Sequence, residues 1–435
     1  MTGKVVHDPL HGSIPIDGVF LKVLSRHEMQ RLRSVKQLGM ANLVFPGANH
    51  TRLEHSLGVY HLAGRMGSAL HLDDDEIMHI KMAALLHDIC HLPYSHNIAE
   101  LYEHRTGTDH MELARQLIKG TVPTYRERDR DMFAGTGTIE ELLEENGISC
   151  DTVCDIIAKP RSGAEGLDAF MPSRDKQSFF SSKDHLHQII HGPVDADQMD
   201  YLLRDSHYTG VAHGSIDIER LLTQMKVYNN TIVLERGGVT AAEGLMVSRA
   251  LMYTSVYFNK TVRIAEMMLS KAVELSKADM GAMHMTDDPE LTEYLINGGG
   301  TSSNMMRDLI HRRLYKKAFS AYSIDLDDDQ VKKLVKYSSY TEKKKLEAEI
   351  ADKAGLDYSE VIVDIPSRSS LLSNAKIGKT DVSILHNGRV RSITKISPVS
   401  KALQSRETYD WAVMVSSPDR HKEKAGRAAA SILDI

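Results

Sequence analysis

Apolar residues recur at helical spacing over most of this chain and at strand spacing only in a few short runs. Residues 1–20 read as a short extended opening with turns at Pro9, Gly12 and Pro15. Met29, Leu32, Val35 and Leu38 stand at steps of three, a stripe that predicts an amphipathic helix over 26–38. A second helix is predicted from Leu53 to Leu70. Asp73, Asp74 and Asp75 then place three acids where a helix N-terminus favours negative charge, opening a helix that is expected to run to about Cys90 and to stop before Pro93. Further helices are expected at 140–146, from His185, over Ala196 to Asp205, over Glu243 to Ser276, and from Ser303 to Lys317 after Gly298, Gly299 and Gly300. Val227 to Leu234 reads as a hairpin around Asn229 and Asn230. The polar stretch 121–184 reads as a variable insertion, with surface loop over 160–184.

Near Asp357 the texture changes. Val361–Ile365, Val382–Leu385 and Trp411–Val415 are β-like runs, and His421 to Leu433 is a closing amphipathic helix. The expected fold is mostly α: a helical body over 1–354 and a small α+β C-terminal lobe over 355–435.

Composition narrows the class of function. The 435 residues carry 42% hydrophobic and 26% charged positions, a net charge of −6 and a pI near 6.4. A weakly acidic total argues against duplex DNA as the main partner, since that binding rests on excess Lys and Arg. Cys90, Cys150 and Cys154 form no disulfide framework. No apolar run approaches membrane-spanning length, so a cytoplasmic protein is expected.

The chemistry is concentrated in histidines and aspartates. His55 sits in Arg52–Gly58, His87 and Asp88 are adjacent, and Asp197 lies far downstream. Imidazole and carboxylate together suit a divalent metal ion: iron, manganese, magnesium, zinc or nickel. Four such ligands on an octahedral ion leave about two positions for water and a substrate oxygen. His91, His96 and His110 crowd the same stretch. Asp197, Tyr201, Arg204 and Asp205 are spaced so that one helix can present them together.

These residues carry a resemblance. Asp8–Gly12, Gln30–Arg33, Lys36–Gly39, Val44–Ala48, Arg52–Gly58, His87-Asp88 with His91, Asp195–Asp205, Tyr257–Lys260 and the run from Val361 resemble the HD-domain phosphohydrolase superfamily. The narrower likeness is to the branch of sterile-alpha-motif and HD-domain deoxynucleoside triphosphate triphosphohydrolases, without the sterile-alpha-motif domain. The resemblance implies an HD core at about 50–210. It also implies attack of metal-activated water on the α-phosphorus of a dNTP, releasing deoxynucleoside and inorganic triphosphate. By it, His55, His87, Asp88 and Asp197 would hold the metal. Arg52 would hold the α-phosphate, and His91, His96 and His110 would surround the scissile bond, with His96 protonating the leaving 5′-oxygen. Gln37 and Asp205 would meet the sugar 3′-hydroxyl. Tyr257 would lie where a 2′-hydroxyl would clash, and Tyr201 and Arg249 would contact the phosphate tail. Val5, Gln30 and Arg33 match an allosteric nucleotide site at a subunit interface, which implies a homo-oligomer (dimer or tetramer) and a nucleotide activator.

Some positions depart from the family pattern. Cys90 and Leu92 replace glycines, which predicts a narrower pocket beside His91. Ala99 replaces a carboxylate, leaving Glu100 or Glu103 to pair with His110. Gln198 replaces a phosphate-binding lysine, and Ser25 replaces a guanine-reading carboxylate. Two other readings therefore stand beside the first. One is hydrolysis of another nucleotide (a monophosphate, a cyclic nucleotide or an alarmone). The other is a non-catalytic module that binds nucleotides or single-stranded nucleic acid.

Overall fold

The computed structural model describes residues 3–158, 184–322, 325–366, 381–404 and 411–435. The loop expected at 160–184 lies, but for Asp184, outside the described residues. The chain opens with an antiparallel pair, β1 (Lys4–Asp8) and β2 (Gly12–Ile16). The helices that build the site follow: α1 (Arg52–Ala69), α2 (Asp74–Leu86), α3 (His110–Lys119), α4 (Asp184–His191), α5 (Ala196–Thr209), α6 (Val239–Met252) and α7 (Lys260–Glu274). Between α5 and α6 lies the hairpin β3 (Met225–Tyr228) and β4 (Thr231–Glu235). Its turn residues Asn229 and Asn230 both adopt positive φ, 48° and 59°, a backbone that asparagine tolerates and two-residue hairpins favour. The fold is mostly helical, as expected.

Local chemistry sets the start of α1. Thr51 accepts the Glu54 amide while the Glu54 carboxylate returns to the Thr51 amide, a reciprocal cap. Arg52 therefore falls in the first turn and His55 one turn later. Gly58 lets α1 approach α5 closely, since a side chain there would collide with the Asp200 carboxylate. Asp73 caps α2 through the Glu76 amide.

Several expected boundaries are corrected. The helix predicted to reach Cys90 ends at Leu86, and His91 is brought back over Asp88 by tight turns (Ile89 N to Leu86 O at 3.0 Å, His91 N to Asp88 O at 3.1 Å). This segment is buried on all sides, so no wet face marks its helical end in the pattern. The stripe over 26–38 yields only a helix at His27–Arg31 and a tight turn at Leu32–Ser34. Beyond it the backbone is drawn into pairing with the chain ahead of α1: Lys36 bridges Thr51, and Gln37 N donates to His50 O. The stretch 243–276 is divided by a π-helical turn at Tyr253–Tyr257, after which Asn259 caps α7. The helix from 303 ends at Ile310, and the chain enters β5 (Lys316–Ala321).

A second core forms around β5, β6 (Ile362–Asp364) and β9 (Val413–Ser417), ordered β5-β9-β6 with antiparallel pairing. Helices α8 (Tyr340–Ala354) and α9 (Lys422–Leu433) cover it, burying Leu346, Ile350, Val363, Val415 and Leu433. Ala354, the last residue of the expected body, packs against this core, and β5 and α8 from before the expected boundary at 355 contribute to it. The hairpin of β7 (Ser383–His386) and β8 (Arg389–Ser392) returns to the body, with β7 parallel to β4, and Val382, Ile384, Ile393 and Trp411 join the main core. No described helix is long and apolar enough to cross a membrane.

Candidate active site

Three elements bring the proposed ligands together: α1 supplies His55, the end of α2 supplies His87 and Asp88, and the first turn of α5 supplies Asp197. Donor atoms of His55, His87 and Asp88 all lie within 4.8 Å of one another. Asp197 Oδ1 stands 3.1 Å from His55 Nε2 and 3.9 Å from His87 Nε2. His87 donates Nδ1–H to Ala84 O at 2.8 Å, which turns Nε2 inward as a lone pair; that nitrogen is buried and has no hydrogen-bond partner. An orphaned imidazole nitrogen facing two carboxylates fits a cation, and this donor set suits a divalent metal.

The electrostatics agree. Burial, which alone would lower a histidine, is outweighed at His55 by hydrogen bonds to Asp197 and Asp200, raising it to about 10. Burial also opposes ionisation of Asp88 and Asp197. The imidazoles around both, with Arg52 beside Asp88, nonetheless hold the two carboxyls below the ordinary range. Two carboxylates kept ionised against their burial make a negative focus for a cation.

Beside this focus, Arg52 donates Nη1 to Asp88 Oδ2 at 2.7 Å, Nε to Ser95 Oγ at 2.9 Å and Nη2 to Gln37 O at 3.2 Å. His91 Nε2 lies 2.9 Å from Asp88 Oδ1, and the His96 ring stands edge-on to His91 at 4.7 Å. Burial, then the Arg52 charge, lowers His91 to about 4. Burial, His91 and Arg52 push His96 well below its usual value, although His96 keeps accessible surface toward the cavity. The loop carrying His96 is strained: Tyr94 and Ser95 hold φ of 56° and 60°, left-handed values unusual for such residues. It is pinned by Asp288, which accepts the Tyr94 amide at 2.6 Å, and by Ser95 Oγ, which donates to Lys36 O at 2.6 Å.

Arg52, His87, Asp88, His91, Ser95 and His96 line a cavity of about 680 Å³. The same cavity is lined by Gln37, His110, Asp197, Tyr201, Asp205, Arg249 and Tyr257. Asp205 is held from two sides, by His50 Nε2 at 2.8 Å and by the Tyr257 hydroxyl at 2.7 Å. The Tyr253–Tyr257 π turn presents Tyr257 there; such bulges recur at functional sites. Tyr201 packs edge-on to Tyr257 at 6.1 Å, and the Arg249 guanidinium lies over Tyr253 at 5.3 Å.

Other residues are placed elsewhere. Val5 is exposed on β1. Gln30 donates to Leu24 O at 2.6 Å and accepts from Arg33 Nε at 2.7 Å, and none of these three lines the cavity. Cys90 and Leu92 do not narrow the pocket: both are buried away from the cavity lining. Glu100 does not pair with His110, because its carboxylate accepts from Lys343 at 2.7 Å. Gln198 turns from the cavity and donates to Gly192 O and Asp195 Oδ2, each at 3.0 Å.

Residues unread in the sequence complete the site. Asp200 accepts from His55 Nδ1 at 2.7 Å and from Arg204 at 2.8 and 2.9 Å, and bonds His11 at 2.7 Å; Arg204 also reaches Asp8 at 2.8 Å. Asp200 lies three residues after Asp197 on α5, and that spacing was the available signal. His191, Arg263 and Glu266 also line the cavity.

Comparison with known proteins matches the HD domain to residues 52–204 and the HD associated region to residues 216–435. An uncharacterized protein of Methanocaldococcus jannaschii is 31% identical over 432 residues, covering 97% of this chain and 80% of its own length. The deoxynucleoside triphosphate triphosphohydrolase SAMHD1 of Xenopus laevis is 31% identical over 242 residues, 52% of this chain and 37% of that protein. A hypothetical protein of Aquifex aeolicus, solved as a crystal structure, superposes with a TM-score of 0.67 at 25% identity, covering 98% of this chain and all of that one. With both regions present, and a relative aligned over 97% of this chain, the chain belongs to the HD-domain phosphohydrolase superfamily.

Proposed function

We propose that this protein hydrolyses deoxynucleoside triphosphates to deoxynucleoside and inorganic triphosphate. The observation that carries the reading is one cavity lined by His87, Asp88 and Asp197, with His55 close behind them, and also by the hydrogen-bonded Asp205–Tyr257 pair and Arg249. The SAMHD1 relative, named for this reaction, supports it.

His55, His87, Asp88 and Asp197 would hold a divalent ion, which supplies Lewis acidity toward a phosphate oxygen and makes water a better nucleophile. Arg52 neutralises charge at the α-phosphate, already oriented by Ser95 and Gln37. A polyphosphate beside His91 and His96 favours their protonated forms, and His96 gives its proton to the leaving 5′-oxygen. His110 faces the same bond from α3. Asp205 accepts the sugar 3′-hydroxyl, with Gln37 beside it, and the Tyr257 ring occupies the space a 2′-hydroxyl would need. Arg249 and Tyr201 meet the phosphate tail. By the same likeness Val5, Gln30 and Arg33 would hold an activating nucleotide between the subunits of a homo-oligomer, and the protein is read as cytoplasmic.

The test is to incubate purified protein with each dNTP and a panel of divalent ions and to identify the products. Inorganic triphosphate with deoxynucleoside is expected. Pyrophosphate or orthophosphate instead would point to another nucleotide chemistry. No release from any dNTP with any ion would reject the reading.

A further inference from the structure

We propose that Glu266, braced by Arg263, reads the nucleobase of the substrate and selects guanine. The inference rests on the dNTP reading above and concerns the opposite end of the same cavity.

Arg263 and Glu266 are three residues apart on α7, hence on one helix face, and both line the cavity. Arg263 Nη1 donates to Glu266 Oε2 at 2.9 Å. Its Nη2 and Nε grip Asp364 on β6 at 2.8 and 3.2 Å. The guanidinium is therefore fixed by the C-terminal core, and it fixes one oxygen of Glu266 in turn. The other oxygen, Oε1, makes no hydrogen bond among the described residues. Burial raises this carboxyl to about 7 against the pull of Arg263, and donors offered by a bound base would favour its ionised, accepting form.

The order along the polypeptide assigns the end of the cavity. Arg249, Tyr257 and Glu266 follow one another along α6, the π turn and α7, the helix breaking at Phe258 and Asn259 between the last two, and all three line the cavity. With Arg249 at the phosphate tail and Tyr257 at the sugar, Glu266 stands at the base. Leu38, Ala41 and Val262 pack together there and line the cavity, giving a flat ring apolar walls.

A carboxylate only accepts hydrogen bonds. Guanine alone offers two adjacent donors, N1–H and the 2-amino group. Adenine and cytosine offer one amino group beside a ring nitrogen lone pair, which a carboxylate repels. Thymine sets its single N–H between two carbonyls.

The experiment compares triphosphate release from dGTP, dITP and dATP by the unaltered holoenzyme and by Glu266→Gln. Binding of the α,β-imido analogues of dGTP and dATP is measured in parallel. The unaltered enzyme is expected to favour dGTP over dATP about tenfold or more in kcat/KM, with dITP, which lacks the 2-amino group, between them. In Glu266→Gln the dGTP to dATP ratio should fall to about twofold or less. Equal use of dGTP and dATP by the unaltered protein overturns the proposal without recourse to a variant, and so does a ratio that survives in Glu266→Gln. No release from any dNTP, with the dGTP analogue still bound more tightly, rejects the hydrolase reading and supports the base-reading one.

Discussion

Asp200 sits directly behind His55: its Oδ2 accepts the Nδ1–H at 2.7 Å, leaving Nε2 to face Asp88 and Asp197. Its other bonds, to His11 and Arg204, leave the carboxylate no freedom to turn. This is the arrangement by which a carboxylate sets the tautomer of a metal-binding histidine and raises its basicity. Asp200→Asn should weaken divalent-metal affinity by about 10- to 100-fold, read by calorimetric titration of metal-free protein. Affinity unchanged within error would show that Asp200 serves only the buried Arg204.

Asp88 and Asp197 should differ when removed, although both are candidate ligands. Asp88 pairs with Arg52, which is almost fully buried, so Asp88→Ala leaves an unpaired interior charge and should cost about 3–5 kcal/mol in stability. Asp197 is more exposed and its contacts are with imidazoles. Asp197→Asn should abolish triphosphate release while moving the denaturant midpoint little. Retained turnover in that variant would remove Asp197 from the ligand set; equal stability of the two variants would contradict the account of Arg52.

The features legible in the sequence were those whose physics is local. The Asp73 cap, the Asn229-Asn230 turn and the start of α1 depend on residues within about four positions of one another. The end of α2 was not legible, because 82–92 is buried on every side and periodicity needs a wet face. Nor was β5, whose Lys316 and Lys317 read as the polar end of a helix until antiparallel pairing with β9 makes them an edge. In the site, His55, His87 and Asp88 stood out by their company. Asp200 and His11 did not, because their bond joins positions 189 residues apart. Glu266 carries no signal in the sequence beyond being a polar position in a helical stretch, since only the folded cavity brings it to the site.

Tyr257 offers a test of sugar selection that leaves the metal cluster untouched. Its hydroxyl ties it to Asp205 at 2.7 Å, and burial, then Asp205, raises the phenol well above its ordinary value, so it stays neutral and donates. Tyr257→Ala should raise the ratio of ribonucleotide to deoxyribonucleotide hydrolysis by about tenfold, because the ring that fills the 2′ space is gone. Tyr257→Phe keeps the ring and should keep the exclusion, while weakening the hold on Asp205. Discrimination unchanged in the alanine variant would place the 2′ position elsewhere.

Asp288 couples the strained His96 loop to pH. It is buried, accepts the Tyr94 amide at 2.6 Å and the Lys36 amide at 3.1 Å, and is raised by burial to about 6 from an ordinary value near 4. An acid whose folded-state value lies above its unfolded one binds its proton more tightly when folded. Below pH 4 both states are protonated and the full contribution is present. Between pH 4 and 6 the unfolded state loses the proton first, so stability falls as pH rises, by up to about 3 kcal/mol. Chemical denaturation of the protein and of Asp288→Asn at pH 4 and pH 6.5 should therefore show a smaller loss in the variant. An equal loss in both would mean that Asp288 ionises as freely folded as unfolded, and that its two amide donors already offset its burial.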